Sequence, residues 1–153
     1  MALFKKGDMW FAHDRVDLFL ITTNASCNDW GELVMEAGIA KQAVVRYPGL
    51  PEVAGSYLLE HFGKEQNLFN EYNFVPFVSG RLGLFQTKRA WWLDSDPEII
   101  RRSVLKLMQF CDENPRTTIA LNYPGIGYGR LQKGQVSPYL LRLPNTVDIW
   151  EYQ

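Results

Sequence analysis

The run Val16–Thr22 (VDLFLIT) constrains this chain more than any other segment. It is nearly continuous in apolar, β-forming residues, the pattern of a strand buried on both faces rather than one. A strand of that kind needs helices on each side, and the rest of the sequence supplies them. Apolar residues at helical spacing (Met35, Ile39, Ala43, Val44) predict a helix from Met35 to Tyr47, stopped by Pro48-Gly49. A second helix is predicted over Pro51–Phe62. Asn73–Ser79 and Leu82–Thr87 read as strands around Gly80, and Ser95 with Glu98 three residues on is a capping-box pattern opening a long helix. Ile100, Val104, Leu107, Met108 and Cys111 form the buried stripe of that helix. Thr117–Leu121 is the next predicted strand, Gly134–Leu143 a helix and Thr146–Glu151 a closing strand. The alternation is α/β, with no repeat or low-complexity tract.

At 153 residues the chain is long enough to bury a core without disulfides or a structural metal, so a single domain over 1–153 is expected. Sixteen Lys+Arg against seventeen Asp+Glu leave a formal charge of −1, which offers no general attraction for nucleic acid or an anionic membrane. Cys27 and Cys111 lie too far apart in sequence for a disulfide framework, and with His13 and His61 they make no metal-ligand spacing. No metal or other cofactor is called for. MALFKKGDMW has no apolar core of a signal segment, and the apolar run Leu18–Ile21 is far too short to span a bilayer. A soluble, cytoplasmic monomer is the expectation.

Two glycine-bearing segments carry the functional signal: Val34–Gln42 (VMEAGIAKQ) and Tyr123–Gln132 (YPGIGYGRLQ), each between a strand-like and a helix-like run. Glycine lets backbone N–H groups approach an anion, and a following helix N-terminus adds partial positive charge. Both segments follow predicted central strands at their carboxyl ends, where open α/β sheets form ligand crevices, so the pair points to a pyrophosphate site. Neither is a dinucleotide fingerprint or a P-loop: Gly125, Gly127 and Gly129 make G-x-G-x-G, and no G-K-[ST] follows.

In order along the chain stand Gly7-Asp8-Met9, Val16-Asp17, Thr23-Asn24, Met35-Glu36-Ala37-Gly38-Ile39-Ala40, Tyr47-Pro48-Gly49, Thr87-Lys88 and Gly125-Ile126-Gly127-Tyr128-Gly129. In these pieces the chain resembles the macro domain family, in the branch of phage and bacterial single-domain proteins near the terminal ADP-ribose glycohydrolases. The resemblance implies a three-layer α/β/α fold with a central mixed sheet, binding ADP-ribose above it. It also implies roles. Asp8, beside Met9, would accept from the adenine amino group, and Asn24 would hydrogen-bond the distal ribose. Glu36, Ala37, Gly38, Ile39 and Ala40 would surround one phosphate, and Gly125, Ile126, Gly127, Tyr128 and Gly129 the other. Tyr128 would also cover the distal ribose.

Departures from the family pattern bear on catalysis. Glu36 stands where a glycine is usual, placing a carboxylate beside a phosphate site. The aspartate that follows the glycine loop in the glycohydrolase branch is missing, because Gly129 runs directly into Arg130-Leu131. Lys88 falls near the lysine which that branch uses as a covalent nucleophile at the anomeric carbon, a role needing a desolvated amine. Without its acid partner, Lys88 is expected to form an ion pair or approach a phosphate.

Asn24 and Lys88 are thus the two candidates for catalysis. The partner is ADP-ribose or an ADP-ribosylated substrate, and two functions stay open. One is hydrolysis of ADP-ribose 1″-phosphate or an ADP-ribosyl ester; the other is a non-catalytic reader, or an interaction module whose site is disabled. Outside the site, Trp91-Trp92 is expected to pack its loop onto the core, Trp150 and Tyr152 to pack rather than stack on adenine, and Arg101-Arg102 with Lys106 to form a solvated helix face.

Overall fold

The computed structural model describes residues 1–152. Its centre is a six-stranded sheet built from β1 (Leu3–Lys6), β2 (Leu18–Thr23), β5 (Phe74–Ser79), β6 (Leu82–Gln86), β7 (Ile119–Asn122) and β8 (Val147–Glu151). The strand order is β1-β8-β7-β2-β6-β5. All neighbours are parallel except β5, which runs antiparallel to β6 and closes one edge. A small hairpin, β3 (Lys64–Glu65) with β4 (Leu68–Phe69), stands apart from the sheet.

Four helices cover it: α1 (Gly38–Arg46), α2 (Leu50–Phe62), α3 (Pro97–Glu113) and α4 (Lys133–Leu140). The VDLFLIT run explains their placement. Phe19 and Ile21 face the core under α1 and α2, with Ala43, Ala54 and Leu58. Leu18 and Leu20 face the opposite core under α3 and α4, with Val104, Leu107, Val136 and Leu140. All four strand residues have no exposed surface. Each such burial is worth about 1.5–3 kcal/mol over exposure, so this strand holds both helical layers to the sheet. No described helix is long and apolar enough to cross a membrane.

Three expectations need correction. The first helix starts at Gly38 rather than Met35. Gly38 has φ +58°, which a right-handed helix arriving from Met35 could not pass through. The long helix starts at Pro97, capped by the Asp96 carboxylate accepting from Glu98 N, rather than by Ser95. Glu98 instead pairs with Arg101 and Arg102.

Nor are Arg102 and Lys106 merely solvated. Arg102 grips the Glu71 carboxylate through Nε (2.7 Å) and Nη2 (2.6 Å), and Lys106 Nζ donates to the Tyr72 carbonyl at 3.1 Å. Together they pin the segment entering β5 onto α3. The Arg102 hydrogen bonds hold the Glu71 carboxyl below its ordinary range despite partial burial.

Candidate functional site

The two glycine segments open from the carboxyl ends of β2 and β7, which are adjacent and parallel (Leu18↔Ile119, Leu20↔Leu121). They therefore face each other across a single groove with two lobes. The lobes share Gly38, Ile39, Asn122, Ile126 and Tyr128.

One lobe, called distal below, is lined by Asn24, Glu36, Ala37, Ala40, Lys88, Gly125 and Gly129 in addition to the shared residues. The other is lined by Asp8, Met9, Gly127, Trp150 and Tyr152 besides them. Every candidate residue from the sequence thus reaches the groove.

Two backbone segments without side-chain caps line it on either side. Ala37 caps α1 with no side-chain hydrogen bond, so the first-turn N–H groups carry no internal cap. The second segment curls into a 3-10 turn, Gly127–Gly129, whose cap Ile126 likewise offers no side-chain acceptor. Gly127 has φ +65°, and the position of its missing Cβ has nothing within 4 Å. The groove at Gly127 is open because no side chain stands there. Gly129 is tighter: its backbone rests on Ser95, whose N–H donates to the Gly129 carbonyl at 3.0 Å.

Asn24 sits just past β2 and is buried. Its Oδ1 accepts from Ser26 N at 2.8 Å and its Nδ2 donates to the Val34 carbonyl at 3.1 Å. The amide holds its own loop in shape and retains one N–H and one lone pair for the groove. Beneath it, the Tyr72 hydroxyl donates to the Asn24 carbonyl at 2.6 Å and contacts Thr23 Oγ1. Burial raises that hydroxyl's pKa, so it stays protonated.

Asp8 caps the turn Met9–Ala12, accepting from Trp10 N at 3.0 Å, while lining the second lobe. Trp150 packs partly against the core and also lines this lobe. Its indole N–H is buried with no hydrogen-bond partner among the described residues. Tyr152 does not pack in the core; it is 81% exposed.

Lys88 forms no ion pair within 4 Å among the described residues, so of its two expected roles the ion pair is not made; its Nζ donates to the Trp91 carbonyl at 3.4 Å. Partial burial lowers its pKa; Asp94 opposes this and Arg130 reinforces it. The charge opposing that shift comes from Asp94, in the loop before α3, and not from an aspartate following the glycine loop. Asp94 also lies 3.8 Å from Arg130 Nε in an exposed pair.

Trp91 and Trp92 correct another expectation. They are 54% and 60% exposed, and Trp91 lines the distal lobe instead of packing inward. The loop is anchored by its backbone, through Trp91 N to Ser26 Oγ (2.9 Å) and Ala25 N to the Arg89 carbonyl (3.0 Å). Sequence reasoning missed Ser95, Asn122 and Gln42 as lining residues. Asn122, a polar residue closing a buried strand directly before a glycine segment, carried a readable signal.

A central mixed sheet, helices on both faces and a crevice over the ends of its parallel strands are the architecture of a macrodomain, and comparison with solved structures shows that fold. This chain resembles the macrodomain of Mycobacterium tuberculosis DarG (21% identity, TM-score 0.67, covering 99% of this chain and 98% of that one). It similarly resembles the macrodomain of Thermus aquaticus DarG (22%, TM-score 0.68, covering 100% and 98%). Thermosipho africanus DarTG, solved in complex with ADP-ribose, matches at 21% identity and TM-score 0.67, with 99% of this chain covered and 42% of that one. No family model and no curated protein matches the chain.

Proposed function

We propose that this protein binds ADP-ribose, free or attached to another group. The observation that carries this reading is the single groove over β2 and β7, with facing backbone-donor segments at its middle and different polar groups at its ends. Gly38–Ala40 and Gly127–Gly129 would hold the pyrophosphate, whose charge is met by N–H dipoles. Asp8 would accept from the adenine amino group, with Trp150 beside the base. Asn24 and Tyr128 would flank the distal ribose. A neighbour of the same fold solved with ADP-ribose supports the choice of ligand.

The finer reading is hydrolysis at the anomeric carbon of the distal ribose, releasing ADP-ribose from an ester or related conjugate. Lys88 favours it over a purely binding role. A partly buried amine with a lowered pKa and no ion pair has a larger neutral, nucleophilic fraction than a solvated lysine. In the alternative route a groove water attacks and Asn24 orients the sugar.

Isothermal titration with ADP-ribose, using ADP and AMP as controls, tests the binding. Micromolar affinity selective for ADP-ribose is expected. Silence at several temperatures, repeated in an orthogonal binding assay, would refute the reading and leave the fold as an interaction module.

A further inference from the structure

Resting on the ADP-ribose reading, we propose that Glu36 sets the charge class of the ligand: the groove admits ADP-ribose whose distal end is a hydroxyl or an uncharged or cationic conjugate, and rejects one ending in a phosphate monoester.

Few charged side chains line the groove. The distal lobe has two, Glu36 and Lys88, and the other lobe has Asp8 and Glu151. Lys88 is the one cationic side chain lining either lobe among the described residues. Asp8 accepts from Trp10 N through one oxygen and lies in the other lobe, and Glu151 is held in an ion pair with Lys133. Glu36 is different: it is exposed, lines only the distal lobe, and no described residue pairs with its carboxylate.

Two pyrophosphate charges are manageable in such a groove, because backbone N–H groups at its middle face them. A third phosphate at the distal end lies beyond those donors. It would bring about two further negative charges near an unpaired carboxylate, with one partly desolvated lysine to offset them. The nearby guanidinium of Arg130 is exposed and shared with Asp94. Like charges separated by several ångströms in a partly solvated cleft repel strongly enough to change affinity about tenfold or more. The same carboxylate is neutral toward a hydroxyl and attractive toward a cationic group. Between ADP-ribose 1″-phosphate and an ADP-ribosyl ester as hydrolytic substrates, this disfavours the first and leaves the second.

The test is titration of the full chain and its Glu36→Gln and Glu36→Lys variants with ADP-ribose and with ADP-ribose 1″-phosphate at low ionic strength, with released phosphate assayed in parallel. The side chain is exposed and unpaired, so unchanged unfolding midpoints are expected. The wild type is expected to prefer ADP-ribose by about tenfold, Glu36→Gln to lose most of that preference, and Glu36→Lys to reverse it. Equal wild-type affinities, a ratio unchanged in both variants, or rapid phosphate release by the wild type would each overturn the proposal. Failure of the wild type to bind ADP-ribose at all would overturn the underlying reading; binding with an unchanged ratio overturns the role of Glu36 alone.

Discussion

Ser95 and Gly129 meet at the wall of the groove so closely that a Cβ on Gly129 would lie 2.2 Å from Ser95 Oγ and 2.9 Å from Ser95 Cβ. The Ser95 N–H donates to the Gly129 carbonyl at 3.0 Å, so the second glycine segment is braced by the loop that enters α3. Gly129→Ala is therefore expected to destabilise the fold by about 1–3 kcal/mol, the range for overpacking, and to weaken ADP-ribose binding by displacing the segment. Denaturant unfolding of Gly129→Ala, Ser95→Gly and the double variant measures the coupling. Strict additivity would show that the two residues do not constrain each other.

Gly127 calls for a different test, because its Cβ position is open. Gly127→Glu is expected to abolish ADP-ribose binding while costing about 1–2 kcal/mol of stability for a side chain at φ +65°. Titration calorimetry paired with thermal unfolding reads both effects. Unchanged affinity would remove this segment from the site.

Asp8 both caps a turn and faces the second lobe, so its replacement must separate the two. Asp8→Asn keeps a capping oxygen and is expected to weaken ADP-ribose and AMP by about 1.5–3 kcal/mol, the range for hydrogen bonds to charged groups. Ribose 5-phosphate should lose nothing. If it lost as much as ADP-ribose, the adenine assignment would be wrong.

Lys88 distinguishes the two hydrolytic routes. Lys88→Arg cannot lose its proton at ordinary pH and so cannot act as a nucleophile, and Lys88→Ala lacks the amine altogether. Both are expected to retain ADP-ribose binding within about threefold, under 1 kcal/mol, and to lose turnover of an ADP-ribosyl ester. Because the wild-type amine titrates below its ordinary value, turnover should gain its basic limb at a pH lower than a solvated lysine would give. Near-normal turnover in either variant would favour attack by water.

The Glu71–Arg102 pair predicts an acid sensitivity unrelated to the groove. Its folded carboxyl titrates below the ordinary 4.5, so its stabilising contribution is complete above that pH and is lost as pH falls through the depressed folded value. The melting temperature of Glu71→Gln should be lower than that of the wild type at neutral pH, and the difference should shrink in acid. A difference constant down to strongly acidic pH would show that the pair contributes nothing.

Much of the architecture was legible because it rests on local periodicity. The uninterrupted VDLFLIT run specified a strand with cores on both faces, and Ile100, Val104, Leu107 and Cys111 fall on the buried face of α3 as their spacing requires. Element ends were less legible. Gly38 at positive φ delayed α1, and Asp96 rather than Ser95 caps α3, the Ser95 side chain lying against Gly129. The hairpin Lys64–Phe69 has strands too short for any periodic signal.

By itself, the order of residues determined the layered α/β class, the two glycine segments and the polar groups available beside them, since these depend on neighbours within a few positions. Only the tertiary structure decided what those groups meet. The pairing of β2 with β7 turned two separate turns into one groove. Packing of the loop before α3 brought Asp94 into the electrostatic environment of Lys88, left Trp91 at the distal lobe, and set Ser95 against Gly129. Contacts of this kind join segments far apart in sequence, and their energies depend on burial and distance in three dimensions. That is why a missing acid in the linear pattern did not mean the absence of an acid near the lysine, and why Glu36 gains significance only once it is seen to share its lobe with Lys88 as the only other charged side chain among the described residues.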